Sequence, residues 1–97
     1  MTDKIETEME TIWKYKLATT DEQFIEIPTG FTPLFLDVQR PGPTPCLWCR
    51  VDPKAPKIRQ KIITHGTGHP VPETTGKHVG SYMLEGGSLI FHVFLSA

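Results

Sequence analysis

Five consecutive residues, Gly66-Thr67-Gly68-His69-Pro70, place two glycines, an imidazole and a proline where neither a helix nor a continuous strand can run. Glycine permits positive φ and lets backbone N–H groups approach another surface, while Pro70 keeps His69 out of the α region. Just upstream, Lys57, Arg59 and Lys61 alternate, which on a strand puts three cations on one side. Successive N–H groups in a glycine turn can cradle phosphate or carboxylate, and neighbouring cations add attraction. The candidate binding site is therefore Gly66, Thr67, Gly68 and His69, aided by Arg59 and Lys61, and the expected ligand is a small anionic molecule bound without chemistry. A phosphate loop of the nucleotide-hydrolase kind is excluded, because the Gly-Lys-Ser/Thr ending and its following helix are absent. The plainer alternative is a tight turn whose histidine bonds a backbone carbonyl, beside a solvated strand face.

Cys46-x-x-Cys49, followed after fifteen residues by His65-x-x-x-His69, has the spacing of a two-cysteine, two-histidine zinc site. The surroundings oppose that reading. Zinc fingers deliver the histidine pair from one helix face, which a Gly-Thr-Gly segment cannot form. Two cysteines three apart on a strand point to opposite faces. Both are read as free thiols, with no metal and no cofactor expected. Four histidines and two cysteines permit a Cys–His pair, yet no recognised nucleophile context surrounds either thiol, so an enzyme is not the favoured class. His92, between Phe91 and Val93, is expected to be a buried, hydrogen-bonded imidazole.

The elements that position these residues are short strands. Prolines at 28, 33, 41, 43, 45, 53, 56, 70 and 72, with eight glycines between 30 and 87, leave no helix-length window beyond the N-terminus. Period-two patterns or short apolar runs mark strands over 11–18, 24–27, 34–39, 46–51, 57–64, 78–84 and 88–95, and Glu85-Gly86-Gly87 suggests a hairpin between the last two. The fold class expected is all-β, a small antiparallel sandwich or barrel of about seven strands over residues 11–97, preceded by an acidic extension over 1–10 that is a short helix or disordered. Alternation assigns Trp13, Tyr15, Leu17, Leu34, Leu36, Leu47, Val51, Ile58, Ile62, Phe91 and Val93 to the core. The last strand is apolar on both faces, so it is either central or covered by another subunit, and a homo-oligomer is expected.

With a formal net charge of −1, nucleic acid is not the expected partner. The charge is unevenly spread: residues 1–39 hold eight acids and three bases, whereas 40–77 hold seven bases against Asp52 and Glu73. No apolar run approaches the roughly 18 residues a membrane span needs, and the start is too polar for a secretory signal. A cytoplasmic protein is expected.

The series Ile12-Trp13-Lys14-Tyr15, Asp21-Glu22-Gln23, Pro45-Cys46-Leu47-Trp48, Val51-Asp52-Pro53, Gly66-Thr67-Gly68-His69-Pro70, Gly86-Gly87 and Phe91-His92-Val93-Phe94 resembles a family of small proteins from bacteriophages and prophage-bearing bacteria, over roughly residues 11–95. The resemblance implies a phage accessory protein acting in the infected host cytoplasm and brings no activity with it. Two functions follow: sequestration of a small anionic ligand such as a nucleotide-derived defence signal, or a structural or protein-interaction β module forming a homo-oligomer.

Overall fold

In the computed structural model, which describes residues 9–97, the chain forms seven strands: β1 (Thr11–Lys16), β2 (Glu22–Pro28), β3 (Thr32–Gln39), β4 (Thr44–Val51), β5 (Lys57–Gly66), β6 (Lys77–Leu84) and β7 (Leu89–Ser96). Among the described residues the only helical turns are two short 3₁₀ segments, Glu73–Thr75 and Glu85–Gly87. The strands make two antiparallel sheets, β1-β4-β3 and β2-β5-β7-β6, so the all-β expectation holds in its sandwich form and no barrel closes. The acidic extension expected over residues 1–10 falls, apart from Met9 and Glu10, outside the described residues.

One core joins the sheets. Leu47, Cys49 and Val51 of β4 meet Ile27, Ile62, Tyr82 and Val93 of the other sheet, with Leu17 closing one end. Trp13, Tyr15, Leu36 and Phe91 pack around this centre half-buried, as alternation requires. The chain leaves β1 through a turn that Gln23 fastens at both poles, accepting from the Ala18 N–H at 3.0 Å and donating to the Ala18 carbonyl at 2.8 Å. Burial of these aliphatic groups, at about 25 cal/mol per Å², is the main source of stability for a chain this small.

Two residues assigned to the core are instead exposed. Leu34 is the extra residue of a β-bulge, since Pro33 pairs with Cys49 while Phe35 pairs with Trp48; the extra residue breaks alternation and turns Leu34 outward, 48% exposed. Ile58 is 39% exposed because β5 pairs with β7 only from Lys61 onward, leaving Ile58 with β2 alone beside it. The doubly apolar strand β7 sits between β5 and β6, so its outward Phe94 is covered within the chain by the rings of His65 and His78, 5.6 and 5.1 Å between centroids.

Candidate functional site

Gly66, Thr67, Gly68 and His69 form a β-turn, closed by the His69 N–H donating to the Gly66 carbonyl at 3.1 Å. Gly68 stands at φ +91°, a value glycine adopts freely and other residues resist. Gly66 serves differently. The His69 ring folds onto it, and a Cβ there would stand 3.2 Å from Cε1 and 3.3 Å from Nδ1. The Thr67 N–H donates to the Ile90 carbonyl at 3.1 Å, so two of the amides an anion nest would present are already engaged. What the turn offers a ligand is its side chains.

Thr67 anchors a chain of hydrogen bonds across the outer face of the four-stranded sheet. Its hydroxyl lies 3.2 Å from the Ile90 carbonyl and 2.9 Å from His92 Nε2. A carbonyl only accepts, so Thr67 donates to Ile90 and the proton of the neutral His92 ring is on Nε2. His92 Nδ1 is then the acceptor for the Ser81 hydroxyl at 2.7 Å, and Ser81 Oγ accepts from His78 Nε2 at 3.2 Å. Protonating His92 reverses the inner links, since Nδ1–H would donate to Ser81 and Ser81 to His78. The arrangement can pass a proton between two imidazoles through one serine. It lacks the carboxylate that orients the base in a hydrolytic triad, that position being held by Thr67.

The sheet architecture explains why these residues meet. His65 and His92 are direct cross-strand partners, as are Ser81 and His92. His78 and Ser81, three apart, share a face because β6 bulges at Val79, between the His78–Phe94 and Gly80–Val93 pairs. His65 makes its own bond, Nε2 to Thr75 Oγ1 at 3.0 Å. His92 was expected to be buried; it is half-buried, with both nitrogens bonded because its strand face is polar at this end.

Beside the turn opens a cleft of about 390 Å³ whose walls include Lys61, His65, His69, Thr75, Asp21 and Glu22. Of the six residues proposed from sequence, Lys61 and His69 line it. Gly66 and Thr67 line an adjoining hollow of about 230 Å³ that His69 shares. Gly68 and Arg59 line neither: Gly68 is the turn corner, and the Arg59 guanidinium lies 3.9 Å from the centre of the Phe24 ring, a cation–π contact. Lys61 is 3.5 Å from Glu22, both part-exposed. His65 entered the sequence reading only through the zinc spacing, and Thr75 and Ser81 were not singled out by sequence.

The cysteines are free and buried. Cys49 belongs to the core between the sheets, and burial pushes its thiol up to about 11, so it is inert at neutral pH. Cys46 lies on the opposite face, its Sγ 3.4 Å from the Thr44 carbonyl and 3.9 Å from Gln39 Oε1, which Lys14 holds at 2.6 Å. Among the described residues no three His, Cys, Asp or Glu side chains converge as metal ligands.

The fold and site define a small two-sheet antiparallel β protein with a polar, histidine-bearing outer face and a cleft at its rim. By comparison with known families it belongs to the one described as Domain of unknown function (DUF7352), which it matches over residues 9–97. No curated protein and no solved structure matches the chain. Among the described residues no helix is long and apolar enough to cross a membrane.

Proposed function

We propose that this domain is a non-enzymatic binding module that holds a small anionic molecule, chemically unchanged, in the cleft between Lys61 and His69. The observation that carries the reading is that Lys61, His65, His69, Thr74, Thr75 and Ser96 together line a cleft of about 390 Å³, within the usual range of small-molecule sites. Lys61 is available to a ligand. Its contact with Glu22 at 3.5 Å is part-exposed and worth about 0–1 kcal/mol, whereas a charge-assisted bond to a phosphate oxygen contributes about 1.5–3 kcal/mol. Asp21 and Glu22 on the same wall disfavour multiply charged groups, so a phosphodiester with one charge per phosphate fits better than a terminal phosphate.

The family resemblance extends this to a phage accessory protein in the host cytoplasm, sequestering a nucleotide-derived signal. Calorimetry against mono-, cyclic and dinucleotides tests it. At least one should bind, with Lys61→Ala weakening it more than tenfold, the equivalent of about 1.5 kcal/mol or more. Silence across the panel, or affinities untouched by His69→Ala in folded protein, would return the cleft to a surface feature.

A further inference from the structure

The outer face of the three-stranded sheet has a different character. Its rows, read across β1, β4 and β3, are Ile12–Arg50–Thr32, Lys14–Trp48–Phe35 and Lys16–Cys46–Asp37. Ile12 and Phe35 are each 57% exposed and the bulge adds Leu34 beside them. Phe35 and Trp48 meet with tilted rings, 5.5 Å between centroids, and form an aromatic strip in which Phe35 is exposed and Trp48 half-buried. Exposed aromatic and aliphatic groups gathered on one sheet face mark an association surface.

The charges on this face identify the partner. β1 contributes Lys14 and Lys16, β3 contributes Asp37, and Arg50 is already paired with Glu10 at 2.6 Å. Lys16 and Asp37 stand in the same row on either side of Cys46, separated by two strand spacings, about 9.6 Å, and neither has an ion-pair partner among the described residues. Rotation of a second copy about an axis parallel to β4 lays β1 over the other copy's β3. Lys16 then faces Asp37 twice, once on each side of β4, and Phe35 lies over the Lys14 stem. Rotation about an axis across the strands would instead stack β1 on β1, lysine against lysine. The face is self-complementary in one orientation and self-repelling in the other.

We propose that this face is a self-association surface, on which two copies pack about a two-fold axis parallel to β4 with Lys16 of each against Asp37 of the other. The inference is independent of the ligand reading, because the cleft belongs to the other sheet and stays open. Three strands about 4.8 Å apart, each contributing six residues at about 3.4 Å, give a footprint of roughly 300 Å² per copy, below the roughly 800 Å² of a stable complex. The dimer is therefore weak.

Sedimentation velocity up to about 1 mM protein tests the proposal, with circular dichroism confirming that each variant is folded. The wild type should pass from monomer to dimer. Lys16→Glu and Asp37→Lys, each creating two like-charge contacts, should weaken association about tenfold or more, the two together should restore it, and Phe35→Asp should abolish it. A wild type that stays monomeric throughout overturns the proposal. So does a double variant no tighter than either single one, or a dimer indifferent to Phe35→Asp.

Discussion

Replacing Thr67 by Val keeps the β-branched shape of the turn residue and removes only its hydroxyl. The hydroxyl makes two contacts, donating to the Ile90 carbonyl at 3.2 Å and accepting from His92 Nε2 at 2.9 Å. Neither loss orphans a buried group. The Ile90 carbonyl keeps the Thr67 N–H at 3.1 Å, and the His92 contact is open to water. The cost should therefore be that of ordinary neutral hydrogen bonds, about 0.5–1.5 kcal/mol in all, or a fall of roughly 2–10 °C in Tm for a domain of this size. The informative effect is on His92. In the wild type at a pH where the ring is neutral, long-range proton–nitrogen NMR should show the proton on Nε2 and an unprotonated Nδ1 facing Ser81. In Thr67→Val nothing fixes the tautomer from the Nε2 side, so the nitrogen shifts should move toward a mixture, while Thr67→Ser restores the wild-type pattern. A wild type protonated on Nδ1, or nitrogen shifts identical in Thr67→Val, would refute the direction deduced for the chain from His78 to Ile90.

Other perturbations separate further parts of the argument. Cys49 is held neutral up to about 11 against an ordinary 9.0, so the unfolded chain ionises first: stability should be intact below pH 9 and fall between pH 9 and about 11, by up to about 3 kcal/mol. Urea midpoints across that range should decline less in Cys49→Ala; equal declines would exonerate the thiol. Tyr82→Phe breaks the bond to Thr19 Oγ1 at 2.9 Å and should cost about 1 kcal/mol, whereas Tyr15→Phe deletes a buried hydroxyl without a partner among the described residues and should be neutral or slightly stabilising. Equal losses in denaturant titrations would contradict that contrast. Gly76→Ala puts a Cβ 2.0 Å from the Leu95 carbonyl oxygen at a residue with φ +117°, so a loss of about 3 kcal/mol or more in thermal unfolding is expected. A fully stable variant would mean that this approach to β7 is not tightly held.

Much of the fold was legible because alternation is a direct consequence of strand geometry. Trp13, Tyr15 and Leu17 with their intervening lysines, and the inward Leu47 and Val51, follow from period two alone. Where the reading failed, at Leu34, an inserted residue had shifted the period, and no composition signal marks a bulge within Pro-Leu-Phe-Leu. At Ile58 the pattern was right about direction and silent about whether a neighbouring strand extends that far. The candidate site was legible only as a turn. Gly66 and Gly68 announced a constrained backbone, but that the ring coming close to Gly66 is the chain's own His69 depends on how the turn folds back. The grouping of His65, His78, Ser81 and His92 needs the strand order β5-β7-β6, which inserts the last strand between two earlier ones. No local pattern encodes that insertion.

The two breaks in alternation do more than complicate the reading. One lies in β3 and exposes Leu34 beside Phe35; the other lies in β6 and brings His78 onto the face of Ser81. These strands belong to different sheets, yet they run close to one another, and Gly80 just beyond the second bulge lets Leu36 of β3 approach to where a Cβ would be only 3.1 Å away. A bulge increases the local twist of its strand. Each outer face thus owes one of its residues to a bulge, Leu34 beside the exposed Phe35 on one sheet and His78 beside Ser81 on the other.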